Sequence, residues 1–324
     1  MRKMLYVIII LIVAGVIAFY MGPRTPVNTD FSFDPSTIGE DVDVYLSKAE
    51  AKFDDIRENL HKQVIWAYPN SRAKTPISLV YVHGFSASSG ETRPLMDIVA
   101  SAIGANLFYT RLTGHGRTGD AMGEATVESW VNDLAEAEAI GRQIGDRVIL
   151  VGASTGGTLV TWGATRQDLA QNIAGIINIS PNFAVQAAGA ELLTMPWARQ
   201  LVRLVVGKTA RFEPESELHA KLWTNEYPSI SLLPMGELVK LANAAAIEDI
   251  KIPALFMFSE QDTVLKPEAT HAVIARWGAD SEVVLVEDTE DEEFHQIAGD
   301  AKSPGTTQKV ADTIIDWINR LPGG

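Results

Sequence analysis

From residue 63 onward, short apolar runs take turns with stretches of helical period, and this alternation restricts the fold more than any other feature of the chain. The runs are Val64–Tyr68, Ile77–Val82, Leu107–Leu112, Val148–Val151, Ile173–Ile179, Ala254–Phe258 and Val283–Val286. They are four to seven residues long and often rich in Val and Ile, as strands buried on both faces require. Helical stretches at Pro94–Ile103, Val127–Ile144, Thr155–Thr165 and Pro267–Trp277 fall between several of them, and Thr307–Leu321 comes last. The pattern predicts an α/β fold, a mostly parallel sheet flanked by helices. It breaks over 181–248, where Leu192, Met195, Trp197, Phe212, Trp223 and Tyr227 occur without a clear strand. That span reads as a mainly helical cap inserted between two strands, over the C-terminal edge of the sheet. The core is then 63–180 together with 249–324.

The N-terminus follows other rules. Arg2 and Lys3 precede an uncharged stretch from Met4 to Pro23. As a helix at about 1.5 Å per residue, twenty such residues span one hydrocarbon core of roughly 30 Å. Tyr6, Phe19 and Tyr20 lie near its ends, where amphipathic rings prefer the membrane interface. Basic residues before it and acid-rich sequence after it predict a cytoplasmic N-terminus and an extracytoplasmic main domain. A cleaved signal, with Val16 and Ala18 before the cut, is the alternative and would give a secreted protein. No A-x-A stands there and bulky Phe19 and Tyr20 follow, so residues 1–23 are read as an uncleaved transmembrane anchor. Residues 24–62 read as a linker and a helix, on the 3–4 spacing of Leu46, Ala49, Phe53, Ile56 and Leu60.

Composition narrows the chemistry. Asp and Glu number 41 against 27 Lys and Arg, a net charge of −14, which argues against a nucleic-acid partner. There is no cysteine, so disulfides, thiolate metal sites and a cysteine nucleophile are excluded. Gly114-His-Gly-Arg-Thr-Gly119 fits a dinucleotide fingerprint by spelling, but the next helical pattern starts only near Val127. A pyrophosphate site needs the helix to open at once, so no such cofactor is expected. The acidic run Glu287, Asp288, Glu290, Asp291, Glu292 and Glu293 matches no calcium-loop spacing, and no metal is expected. Its charge should raise the pKa of a nearby histidine.

The chemistry centres on Gly152-x-Ser154-x-Gly156, directly after an apolar run and directly before a helix. That context suits a nucleophilic serine on a sharp turn, with glycines where neighbouring chain must pass closely. The Thr155 N–H falls at the helix N-terminus, aimed where an oxyanion would form. Of six histidines, His295 alone follows the last run in a loop, while His271 lies within a helical pattern. Asp262, beyond Ser259-Glu260-Gln261, follows the preceding run, with Glu260 as a rival acid. Ser154, Asp262 and His295 in that chain order make a candidate triad.

On these residues the chain resembles the α/β-hydrolases, in the capped esterase and monoacylglycerol-lipase-like branch. The matching pieces are His83-Gly84-Phe85, Gly114-His115-Gly116, Gly152-x-Ser154-x-Gly156-Gly157, Asp262 before Val264, and His295. They cover about four fifths of the chain. The resemblance implies an eight-strand type of sheet, a Ser-His-Asp triad, no cofactor, and an oxyanion hole from the Phe85 and Thr155 amides. Trp130 and Glu91 also occupy positions familiar in that branch and read as structural, a packing residue and an early helix position. The expected activity is hydrolysis of short to medium acyl esters or monoacylglycerols through an acyl-serine. The alternatives are a peptidase or amidase on the same fold and a non-catalytic, membrane-tethered binding module.

Overall fold

The structure is a computed structural model and describes residues 2–322. Helix α1 (Arg2–Tyr20) has no buried residue and is long and apolar enough to cross a membrane, a property shared by anchors and signal sequences. It ends against the main domain. The Trp197 backbone N–H donates to the Pro23 carbonyl at 2.7 Å, and the Trp197 indole N–H donates to the Phe19 carbonyl at 3.1 Å.

After α2 (Val42–Glu50) come β1 (Gln63–Ile65), β2 (Thr75–Val82), α3 (Leu95–Ile103), β3 (Asn106–Tyr109), α4 (Val127–Ile144), β4 (Gly145–Ala153), α5 (Thr155–Ala164) and β5 (Ile173–Ile179). The span 181–248 holds α6 (Ala198–Val205), β6 (Thr209–Arg211), α7 (Glu217–Leu222), β7 (Glu226–Pro228) and α8 (Leu232–Ala244). The chain closes with β8 (Ala254–Phe258), α9 (Pro267–Ile274), β9 (Ser281–Leu285) and α10 (Thr307–Arg320).

The main sheet runs β1-β3-β2-β4-β5-β8-β9, parallel throughout except for β1. Side chains alternate between its faces. Val80, Val82, Phe108, Val148, Leu150 and Phe256 pack with α4 and α5, while Leu79, Tyr81, Leu107, Ile149, Val151 and Met257 pack with α3 and α10. Both faces are therefore dry, which is why these strands read as continuous apolar runs. The chain steps outward from β2 to β3, then crosses back to β4 on the other side of β2. The C-terminal ends of β2 and β4 flank that switch point, the usual place for a site in an open parallel sheet.

Three expectations are corrected. The sheet has seven strands among the described residues, not the eight of the family type. The helix expected through Leu60 stops at Glu50. Beyond it, tertiary bonds override the period: Phe53 lies under the Arg111 and Arg117 guanidinium groups, and the Arg57 N–H donates to the Gly116 carbonyl at 2.8 Å. The span 181–248 is not free of strand, since β6 and β7 pair antiparallel. Each is only three residues long, too short for a period to show.

Candidate active site

Ser154 occupies the first turn position after β4 with φ 49° and ψ −118°. A non-glycine residue there is strained by about 1–3 kcal/mol, so the surroundings must hold it. They do so through the backbone. The Ser154 N–H donates to the Ile179 carbonyl at 2.9 Å, and the Ser154 carbonyl accepts from the Asn182 and Thr158 N–H groups. A Cβ at Gly152 would sit 2.6 Å from the Gly156 backbone, and one at Gly156 would sit 2.0 Å from the Val82 carbonyl oxygen. Only glycine fits at either position. Ser154 stands at the N-cap of α5, yet its hydroxyl makes no capping bond and is free for other chemistry.

His295 follows β9 in a loop and is 9 % exposed. Its Nδ1 lies 2.8 Å from Asp262 Oδ2. The carboxylate therefore accepts a hydrogen bond from Nδ1–H, which fixes the proton on Nδ1 and leaves Nε2 as the basic nitrogen. Asp262 Oδ1 accepts the Val264 and Leu265 N–H groups, both at 2.8 Å, so the acid is itself anchored. Burial alone would push the His295 pKa down. The bond and charge of Asp262, with the charges of Asp291 and Glu91, outweigh it and hold the pKa above the ordinary histidine value. Ser154 and His295 line one cavity, although no hydrogen bond joins their side chains among the described residues. Such contacts often tighten only when substrate is bound. The rival pair, His271 Nε2 and Glu260 Oε1, meets at 2.6 Å on the surface, and neither lines this cavity.

The residues expected to supply the oxyanion donors belong to the same cavity. Phe85 and Thr155 both line the cavity, and neither backbone N–H has a hydrogen-bond acceptor among the described residues. Two histidines that the sequence placed only in motifs set the Phe85 loop. His83 Nδ1 donates to the Gly84 carbonyl at 2.9 Å while its Nε2 accepts from the Leu112 N–H at 3.0 Å. His115 Nε2 accepts from the Ser86 N–H at 3.1 Å. Each imidazole must accept a bond, so both are neutral. Burial agrees, pushing His83 down to about 4 and His115 well below its usual value. Trp130 packs beside them, fully buried, with its indole N–H on the Thr113 carbonyl.

The cavity has a volume of about 380 Å³. Phe212, His219, Trp223, Tyr227 and Met235 from 181–248 cover it. Polar ties join this cover to the loop below, from the Thr224 N–H to the Ser86 carbonyl and from Ser88 Oγ to the Leu222 carbonyl, both 2.7 Å.

Sequence reasoning missed two features. The first is Lys302, whose ammonium lies 2.7 Å from Glu215, 2.9 Å from Asp291 and 3.4 Å from Glu293. These carboxylates are close enough together to hold a cation, and the lysine supplies that charge. The acidic run is thus not simply a solvated loop: Asp291 is buried, and its Oδ2 accepts the His295 and Gln296 N–H groups at 3.0 and 2.7 Å. The second is the place of Glu91, which reads from the sequence as a structural residue at an early helix position. It lies in the turn before α3, not in the helix, and lines the cavity.

A family model described as serine aminopeptidase, S33 (Hydrolase_4) matches residues 74–301. A thermostable monoacylglycerol lipase of Bacillus sp. (strain H-257) is 28% identical over 194 residues, 59% of this chain and 73% of the relative. A structure from work on the metagenome-derived lipolytic enzymes LipS and LipT superposes with TM-score 0.67 at 19% identity, covering 82% of this chain and 99% of the other. The monoglyceride lipase of Saccharomyces cerevisiae, solved as a soluble variant with a substrate analogue, gives TM-score 0.60 at 14% identity, covering 80% and 91%. The two structural likenesses speak for the fold. With more than half its length matched by the family model, the chain belongs to the serine aminopeptidase S33 family and is a monoacylglycerol-lipase-like α/β-hydrolase.

Proposed function

We propose that this hydrolase is a membrane-anchored serine carboxylic-ester hydrolase acting on short to medium acyl esters or monoacylglycerols. The observation that carries the reading is one cavity lined by Ser154, His295 and the unpaired Phe85 and Thr155 amides under an apolar cover. Ser154 Oγ attacks the ester carbonyl as His295 Nε2 takes its proton. Asp262 holds the imidazole tautomer, and the two amides receive the oxyanion. Collapse of the tetrahedral adduct expels the alcohol, which takes the proton from His295. Water then attacks the acyl-serine, again through His295, and releases the acid. The lipase relative supports an ester or lipid substrate.

In this reading residues 1–23 are the anchor, 24–62 a linker and short helix, 63–180 and 249–324 the hydrolase core, and 181–248 the cap. The main domain is extracytoplasmic, with secretion after signal cleavage as the alternative. A peptidase is the second reading. Glu213 and Glu215 from the cap line the cavity and offer negative charge to a substrate amine, although Lys302 already engages Glu215.

The test compares p-nitrophenyl acyl esters with aminoacyl p-nitroanilides, alongside fluorophosphonate labelling of wild type and Ser154→Ala. Labelling should require Ser154, and esters should be preferred. Better turnover of the anilides would select the peptidase, and no labelling would leave a binding module.

A further inference from the structure

We propose that Glu91 is a positioning residue of this site: one carboxyl oxygen fixes the oxyanion loop, and the other biases the charge on His295. The proposal rests on the roles given to Ser154, His295 and Phe85 under the proposed function.

Glu91 is 1 % exposed. Its Oε1 accepts the Gly84 N–H at 2.7 Å and the Tyr81 hydroxyl at 2.9 Å. The first bond pins the peptide directly before Phe85, whose amide is the donor assigned to the oxyanion. Oε2 is fully buried and has no hydrogen-bond partner among the described residues. A Cβ on Gly84 would lie 2.9 Å from Oε2 and 3.0 Å from Ser154 Cβ, so acid and serine flank the same glycine. The turn is also held from behind, where a Cβ on Gly299 would lie 2.7 Å from the Glu91 carbonyl oxygen. The group is thus fixed in place, with half of its hydrogen-bonding capacity unused beside the reacting atoms.

A glutamine would accept the Gly84 and Tyr81 bonds equally well. What a carboxyl adds is a second oxygen that can carry charge. A buried carboxylate with an unpaired oxygen is costly, so its charge is easily lost. Burial pushes Glu91 up to about 7, against the Gly84 and Tyr81 bonds and the His295 charge. The Tyr81 hydroxyl from β2 bonds its other oxygen, Ser154 of the elbow and His295 of the loop after β9 line the same cavity, and the His295 charge acts on it. Asp262 and Asp291 act from beyond the imidazole, and His219 faces the cavity from the cap. The Arg93 guanidinium nearby is committed to Asp97 and Tyr109.

An ionised Glu91 favours the imidazolium that forms whenever His295 takes the serine proton. It also holds His295 protonated to higher pH in the resting enzyme. Glu91 and His295 therefore titrate as a pair, and the acid limb of kcat/KM belongs to both.

The experiment uses the full chain in detergent with p-nitrophenyl butyrate, from pH 4.5 to 9. In Glu91→Gln the acid limb should move down by about 0.5–1 pH unit and become a single ionisation, and the plateau above pH 8 should fall about two- to fivefold as the imidazolium loses a favourable charge. In Glu91→Ala kcat should fall at least about tenfold with KM nearly constant, because a misplaced oxyanion donor is felt in the transition state. A purely structural Glu91 would give Glu91→Gln a limb superimposable on wild type. That result, or an upward shift, overturns the charge role, and full activity in Glu91→Ala overturns the loop role. If Glu91→Ala fails to fold, Glu91→Gln keeps both hydrogen bonds, and its fluorophosphonate labelling rate against pH gives the same comparison without turnover. A Ser154→Ala control in the same series tests the underlying reading separately.

Discussion

The elbow that carries Ser154 and the cover at 181–248 meet across one cavity but are held by different means. At the elbow, position comes from backbone: a positive φ, two glycines with no room for a Cβ, and main-chain bonds from β5 and the segment after it. In the cover, position comes from side chains and a few polar ties, and much apolar surface stays outside, with Leu204 82 % and Trp197 37 % exposed. A backbone-built site tolerates almost no change in its reacting groups. A side-chain-built wall can be recut without losing the chemistry. Substitutions below should therefore abolish turnover, and substitutions above should redistribute it among substrates.

The sharpest way to break this contrast is Ser154→Ala. Loss of the proposed nucleophile should lower kcat by about 10⁴-fold or more. The melting temperature should stay within a few degrees of wild type, because the hydroxyl makes no capping bond. Retained esterase activity on p-nitrophenyl butyrate would move the chemistry away from the elbow.

Next in size are the partners. His295→Ala and Asp262→Asn should each cost about 10³-fold or more in kcat, since they remove the proposed base and the group proposed to hold its tautomer. His271→Ala and Glu260→Gln remove an exposed pair of similar geometry and should leave kcat/KM within twofold. Steady-state kinetics on all four decides the matter. An essential His271 beside a dispensable His295 would relocate the site to the surface.

How much of this was legible follows the same division. β5, β8 and α4 match the apolar runs and helical stretch read from the sequence, because strands dry on both faces and a helix opened by the Thr126–Ser129 capping box leave strong local signals. Ser154, Asp262 and His295 were legible as candidates because each follows a strand. Lys302 was not, and Glu91 was legible only as a structural residue. Both bond to tertiary neighbours, Asp291 and Gly84, and nothing in their local spacing marks that. The stop of α2 at Glu50 was hidden for the same reason, as cation–π contacts and long-range hydrogen bonds outweighed a fair helical period.

The cover should show smaller, graded effects. Each CH₂ buried in the pocket is worth about 0.8 kcal/mol, or roughly fourfold in kcat/KM where the transition state keeps it. With a cavity of about 380 Å³, preference should peak at acyl chains of about four to ten carbons, and triolein should be a poor substrate. Met235→Ala, which enlarges the wall, should move the optimum to longer chains while the plateau kcat on butyrate changes less than threefold. A series from p-nitrophenyl acetate to palmitate reads this directly. A flat series in wild type would mean the cover does not form the acyl wall.

The smallest expected effect separates buried from exposed members of the acidic run. Asp291 and Glu292 are neighbours, yet only Asp291 is buried and bonded to the His295 backbone. Its charge helps hold the His295 pKa above the ordinary value. In the proposed mechanism His295 must be neutral to act as the base, so a raised pKa sets the pH below which activity should be lost. In Asp291→Asn, an amide oxygen in the Oδ2 position can still accept the His295 and Gln296 N–H groups. The negative charge disappears, however, and Lys302 keeps its positive charge with one carboxylate fewer. Both changes disfavour the imidazolium, so the acid limb of kcat/KM should move to lower pH. The shift should be a few tenths of a unit, about the size expected of a charge already largely compensated by its own ion pair. Glu292→Gln, on the exposed side, should leave the limb in place. An unmoved or upward-moved limb in Asp291→Asn, or an equal shift in Glu292→Gln, would mean that the loop acts through its overall charge and that the buried contact to His295 carries no electrostatic weight.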